Sequence, residues 1–212
     1  MKDIAIFGSG NLGREVACII NQLNETQPSW NLIGFYDDGI EIGADNEYGK
    51  ILGGMTQLNA YQEHIDIVVA IGDPETVRSV VSRITNPLVT FPNIIAPNVF
   101  FYDKKSVKMG KGNFIGPNSS ISCNVTFGDF NMLNVFTQVG HDTTFGNHNV
   151  VMPSVNISGS VEIGDCNLFG VKSTAIQKVK VGNNVTVAPN SVLTRNAKDG
   201  NTYLGNPAKI FI

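Results

Sequence analysis

Residues 121–151 read ISCNVTFGDFNMLNVFTQVGHDTTFGNHNVV. Steps of six from Ile121 land on Phe127, Leu133, Val139, Phe145 and Val151, each a large apolar side chain. The same phase runs back through Ile115 to Met109 and on through Ile157, Ile163, Phe169, Ala175, Val181 and Val187 to Leu193, fifteen positions without a break. The next position is often glycine (Gly110, Gly116, Gly128, Gly140, Gly146, Gly164, Gly170, Gly182), and the position two before is always small or valine, from Val107 and Asn113 to Val185 and Ser191. Neither a helix period of 3.6 nor the alternation of an ordinary strand accounts for a strict six. A solenoid does. Each hexad forms one short flat side, with the large aliphatic and the small residue facing inward and glycine supplying the dihedrals of the turn.

Composition agrees with a globular chain that buries a core: 212 residues, 42% hydrophobic and 16% charged. A net charge of −3 gives no electrostatic case for nucleic acid or an anionic membrane as partner. No apolar run approaches the roughly 20 residues of a membrane span, and the start, Met1-Lys2-Asp3, is too acidic for a signal peptide. Three cysteines, Cys18, Cys123 and Cys166, fit a reducing, cytoplasmic setting better than a disulfide framework or a zinc site.

The first part of the chain has another grammar. Ile4 to Phe7 reads as a buried strand, and Gly8-Ser9-Gly10-Asn11-Leu12-Gly13 opens a helix that runs to about Leu23. This is G-x-G-x-x-G in the strand–turn–helix setting where the backbone approaches a phosphate at the helix N-terminus. Leu32 to Tyr36 reads as a second strand ending in Asp37 and Asp38, placed to accept hydrogen bonds from sugar or ribose hydroxyls. Ile65 to Ile71 is the third, ending in Gly72-Asp73-Pro74, with a helix from Glu75 to about Ile84; Val89 to Phe91 is a fourth. Three parallel strands with crossover helices make half of a dinucleotide fold, so a single nucleotide fits better than NAD. The expected domains are residues 1–92, a small α/β unit, and 93–212, the solenoid.

Three histidines occur: His64, His141 and His148. His64 precedes the third strand and reads as a surface residue. His148 is no column partner of His141, so a metal centre needing three convergent histidines is not supplied, and no metal is expected. His141 stands two places after Val139, off both inward positions, and so faces outward. Histidine suits general-base work near neutral pH, and a carboxylate on its other ring nitrogen fixes the tautomer. Asp142 is adjacent, but neighbouring strand residues point to opposite faces, so it reaches His141 directly only if a corner falls between them.

The hexads, Gly140-His141-Asp142 and the tail Gly205-Asn206-Pro207-Ala208-Lys209 resemble the left-handed β-helix acyltransferases. Within that class the chain is similar to the sialic acid O-acetyltransferase and nucleotide-linked 4-amino-sugar N-acetyltransferase group, over nearly its whole length. The resemblance implies an α/β Rossmann-like half-domain before a left-handed parallel β-helix, coils of three hexads, and a homotrimer with active sites between subunits. It implies acetyl-CoA as co-substrate, His141 as base and Asp142 as its support. The front domain, through Gly8, Gly10, Gly13, Asp37, Asp38, Gly72 and Asp73, would hold the nucleotide part of the sugar. Main-chain contacts to acetyl-CoA fall at Gly159, Val171 and Pro189, Lys209 would offset phosphate charge, and Asn134 matches an asparagine near the catalytic histidine. Family turns often carry a histidine where this chain has Asn11-Leu12.

With eighteen residues per coil, Cys123, His141 and Gly159 stack in one column. Gly159 would leave room for a thioester beside the imidazole, and backbone N–H groups there could stabilise the oxyanion. Cys123 as an acyl-accepting nucleophile is the covalent alternative to direct transfer. The leading function is N-acetylation of a nucleotide-linked amino sugar. The alternatives are O-acetylation of a sialic acid or other glycan sugar, and a non-catalytic trimeric module that senses a nucleotide.

Overall fold

The computed structural model describes residues 1–211. Two compact units divide the chain, one of residues 1–72 and 76–94, the other of Asp73–Glu75 with the chain from Ile95 on. In the first, β1 (Lys2–Phe7), α1 (Asn11–Thr26), β2 (Trp30–Tyr36), β3 (Asp45–Asn46), β4 (Gly49–Gly53), α2 (Met55–Ala60), β5 (Ile65–Val69), α3 (Pro74–Arg83) and β6 (Val89–Thr90) follow in order. The sheet runs β3-β4-β2-β1-β5-β6, all parallel except the β3–β4 hairpin. Strands β1 and β5 lie inside it, away from the edges, and read as nearly continuous apolar runs, as strands covered on both faces should; Ile4, Ile6 and Ile67 are fully buried. Helix α1 buries Val16, Ala17, Ile19 and Ile20.

The sequence pattern misses β4 and α2. Glycines bound Gly49-Lys50-Ile51-Leu52-Gly53 at both ends and weaken its intrinsic strand propensity, but pairing with β2 overrides that. The sheet thus has five parallel strands rather than three or four. Helix α1 runs past Leu23 to Thr26. Asn24 secures the approach to β2: its Nδ2 donates to the Trp30 carbonyl, and its Oδ1 accepts from the Ser29 and Trp30 N–H groups.

The second unit is a left-handed parallel β-helix with three flat faces. Two-residue strands stack with a register of eighteen: Ser120 pairs with Gln138, Gln138 with Asn156, Asn156 with Thr174, and Thr174 with Val192. The large hexad residues from Ile115 to Leu193 fill the interior, and the small residue two before each is buried as well. Four of these small residues form a ladder. Asn131 Nδ2 donates to Asn113 Oδ1 (3.1 Å), Asn149 Nδ2 to Asn131 Oδ1 (2.8 Å), and Asn167 Nδ2 to Asn149 Oδ1 (2.9 Å). Each oxygen also accepts the next coil's backbone N–H, the last from Val185. Buried amides are tolerated because the stack satisfies them.

The glycines after the apolar positions do not supply turn dihedrals. None of those eight has a positive φ; that conformation falls two positions later, on thirteen non-glycine residues from Asn118 to Asn190. Close stacking explains the glycines instead. A Cβ on Gly128 would stand 2.5 Å from the Gly146 carbonyl oxygen, and one on Gly140 would stand 2.4 Å from the Gly159 nitrogen. The left-handed residues cost on the order of 1 kcal/mol each, and inter-coil bonds hold them, as when the Asp142 N–H donates to the Cys123 carbonyl at 3.1 Å. Gly128→Ala should therefore destabilise the β-helix by about 1–3 kcal/mol through overpacking, read as a lower thermal unfolding midpoint.

Candidate active site

In the first unit the glycine turn is built as its spacing requires. Gly8 has φ +106°, and a Cβ there would lie 2.7 Å from the Ala70 carbonyl oxygen; one on Gly13 would lie 2.0 Å from the Gly8 oxygen. Those two glycines serve packing. Around Gly10 there is open space, so it is the position where a ligand can approach the backbone. Helix α1 starts there with no side-chain cap and no acidic residue in its first turn, which leaves its N–H dipoles suited to an anion.

Both aspartates after β2 are engaged by the protein itself. Asp37 Oδ2 accepts from the Ser9 N–H (2.9 Å) and hydroxyl (2.7 Å), and Oδ1 accepts from Gly39 N–H. Burial pushes the Asp37 carboxyl up, but these donors outweigh it and hold it below its ordinary value. Asp37 thereby fixes the glycine turn to the end of β2. Asp38 caps α2 through Met55 N–H (2.7 Å) and pairs with Arg83 (3.0 Å). Gly72 is open-sided, and Asp73 immediately precedes α3.

In the second unit His141 and Asp142 are joined. His141 Nδ1 and Asp142 Oδ2 are 2.7 Å apart. The corner that allows this falls on Asp142 itself, whose φ is +56°, so the two side chains turn to the same side. Both are exposed, at 60% and 53%, as general-base chemistry on a bound substrate requires. The carboxyl of Asp142 is held below its ordinary value first by the bond to His141 and then by Asn124, whose Nδ2 donates to Oδ1 at 3.1 Å. The stacking register predicts that contact, because Asn124 lies eighteen residues before Asp142, and the sequence reading missed it.

Gly159 has a different use from the one expected. A Cβ there would be 2.6 Å from His141 Nε2 and 2.8 Å from Cε1. The space it leaves is taken by the imidazole ring rather than left for a thioester. Gly159 is thus what lets the ring lie flat on the next coil.

Backbone donors at the corners divide by face. On one corner the N–H groups two places after the apolar residue bond to an Asp/Asn ladder: Asp129 to Asn147, Asn147 to Asp165, Asp165 to Asn183, Asn183 to Asp199. At the other two corners they bond to nothing among the described residues, Gly159 and Val171 included. Proline removes the donor at 117, 153 and 189, so Pro189 offers only its carbonyl and ring. Asn134 is nearly buried and its Nδ2 donates to the Val151 carbonyl (3.1 Å), in a different column from His141. Lys209 is exposed in the terminal hairpin, opposite Leu204. His148 stacks on Phe130 at 5.6 Å, and His64 is exposed. Among the described residues no group of three or more His, Cys, Asp or Glu is arranged to hold a metal, and no helix is long and apolar enough to cross a membrane.

Residues 3–84 match the family model described as PglD N-terminal domain. The acetyltransferase domain of PglB from Neisseria gonorrhoeae FA1090 superposes with a TM-score of 0.90 at 24% identity, over 100% of both chains. WeeI from Acinetobacter baumannii AYE gives 0.89 at 22%, again over 100% of both. A histidine-to-asparagine variant of perosamine N-acetyltransferase from Caulobacter crescentus, in complex with CoA and GDP-perosamine, gives 0.87 at 20%, over 100% of this chain and 97% of that one. A search of curated proteins finds no match. The chain therefore has the fold of the hexapeptide-repeat sugar acetyltransferases along its whole length.

The dyad can be checked without any substrate. The Asp142 carboxyl should titrate below the roughly 3.9 of an unperturbed aspartate, followed by carbon NMR. In His141→Ala the midpoint should rise toward the ordinary value, because the main donor to the ionised form is gone.

Proposed function

We propose that this protein transfers the acetyl group of acetyl-CoA to the amine of a nucleotide-linked amino sugar, with His141 as general base. The observation that carries the proposal is the 2.7 Å His141–Asp142 pair lying over the bare backbone of Gly159. A carboxylate on Nδ1 keeps the proton there and turns the Nε2 lone pair outward. The amine attacks the thioester carbonyl, a C–N bond forms, and Nε2 takes the proton the amine loses. As the C–S bond breaks, the thiolate leaves and recovers a proton from the imidazolium, giving CoA and the acetylated sugar. The unbonded N–H groups of Gly159 and Val171 suit hydrogen bonds to acetyl-CoA, and the exposed Lys209 is available to its phosphates.

The uncapped start of α1 with open Gly10, held by Asp37, suits the diphosphate of the sugar nucleotide. Gly72, open on its Cβ side, is a further proposed contact for the sugar nucleotide in this unit. Perosamine N-acetyltransferase, of the same fold, binds CoA and GDP-perosamine, and the PglB domain binds acetyl coenzyme A; both favour this reading over O-acetylation of a sialic acid and over a non-catalytic module. Transfer is direct, because the dyad needs no covalent step through Cys123. The assembly is a cytoplasmic homotrimer through the β-helix, which carries exposed Phe100, Tyr102 and Phe136.

The test is CoA release from acetyl-CoA with GDP- and UDP-linked 4-amino sugars and with sialic acids as acceptors. Turnover is expected with a nucleotide amino sugar. His141→Ala should lower kcat by about 10² to 10⁴ while acetyl-CoA affinity persists, and Cys123→Ser should be nearly silent. Turnover only with sialic acids would overturn the amine assignment, and none with any acceptor would support the non-catalytic module. Light scattering showing a monomer at micromolar concentration would refute the trimer.

A further inference from the structure

The His141–Asp142 pair does not end at the carboxylate. Asp142 Oδ1 accepts from Asn124 Nδ2 at 3.1 Å, one coil away, while Oδ2 faces His141 Nδ1. Asn124 is itself fixed: its N–H donates to the Ser106 hydroxyl at 2.8 Å, and that hydroxyl donates to the Asp103 carbonyl at 3.0 Å. We propose that Asn124 is a positioning residue, which holds one oxygen of Asp142 so that the other keeps the His141 imidazole in the tautomer with Nε2 unprotonated. The inference rests on the reading of His141 as general base.

Chemistry decides the direction of the effect. An amide N–H can only donate, so it engages Asp142 as an ionised acceptor and does not compete for the proton on Nδ1. Both side chains are exposed and both residues sit in the left-handed region, with φ +57° and +56°. An exposed carboxylate with one bond can rotate about its own axis; a second bond from a separate coil removes that freedom. Loss of Asn124 should therefore leave the backbone in place and let Asp142 swing away from Nδ1 for part of the time.

Asparagine is common at such left-handed backbone positions for conformational reasons, as at Asn184 and Asn190. Two variants separate the roles. Asn124→Gly removes the amide and tolerates the left-handed conformation, whereas Asn124→Ala removes the amide and adds strain. If Asn124 only eases the turn, glycine restores full function and alanine does not. If it positions Asp142, both fail alike.

Two readouts apply to the full-length protein. Long-range proton–nitrogen spectra report the tautomer of each of the three histidines, with His141 assigned by its absence in His141→Ala. Wild type should show His141 protonated on Nδ1. Asn124→Gly and Asn124→Ala should both shift it toward the Nε2-protonated form that free imidazole prefers. In kinetics with the best acceptor of the panel, both should lower kcat on the order of tenfold, less than loss of the carboxylate itself, with KM for acetyl-CoA unchanged. In an Asp142→Ala background the glycine variant should add nothing further, since its effect passes through that carboxylate. An Asn124→Gly protein with wild-type tautomer and kcat would overturn the proposal, as would effects that multiply with Asp142→Ala. If His141→Ala kept its turnover, the reading of the base would fail instead, while the tautomer spectra would still judge the link from Asn124 to Asp142.

Discussion

Everything in the second unit depends on a stacking register of eighteen residues. Each coil places its backbone bonds, its buried side chains and its corners directly on those of the coil before. Ser120, Gln138, Asn156, Thr174 and Val192 form one such line, and the amide ladder from Asn113 to Asn167 forms another inside. The ladder ties the register to energetics. A slip of one residue would leave several buried amides without partners, at about 1–3 kcal/mol each, and turn the apolar column outward.

That rigidity is what makes a corner usable for chemistry. His141 is not held by packing against the core, since most of its side chain is exposed. Its backbone carbonyl is fixed by the Ser160 N–H at 2.7 Å, the Asp142 N–H is fixed to Cys123, and its ring rests where Gly159 lacks a Cβ. An exposed imidazole on a mobile loop would lose orientation, whereas here the coils before and after define it. Preorganisation of this kind is how a general base gains rate without burial. The unbonded donors at the same corners follow from the same geometry, because where the third corner consumes its N–H groups in an Asp/Asn ladder, these have no side chain in line to accept them.

Much of this was legible in the hexads. The period of six identified the solenoid, and the place of His141 two residues after Val139 put it outside. The G-x-G-x-x-G turn was legible too, but not which of its glycines pack and which one is open, because that depends on Cβ contacts. What stayed hidden depends on contacts between coils or strands. Gly49 to Gly53 shows no strand signal of its own because its strand character comes from pairing with β2. The corner glycines were assigned to dihedrals, although it is the backbone of the next coil that excludes a Cβ. Whether Asp142 meets His141 turned on one backbone angle that spacing leaves open. Asn124 was within reach, since subtracting eighteen from Asp142 finds it.

The two acidic positions of interest show why adjacency to a motif is weak evidence about a carboxylate. Asp37 and Asp38 follow a strand in the place where a ribose partner is expected, yet each already has protein donors: Ser9 and Gly39 for one, Met55 and Arg83 for the other. Asp142 also has two partners, but one is a titratable ring that is itself exposed. The first pair spend their charge on holding the protein's own groups in place; the third faces an exposed, titratable ring. In a repeat that imposes the same backbone on every coil, chemistry therefore depends on a local departure in side chains. The column of His141 holds Cys123, Gly159, Gln177 and Arg195 at its other levels. Only at Gly159 does the coil above present bare backbone, so only at that level can an imidazole lie flat with its outer nitrogen free.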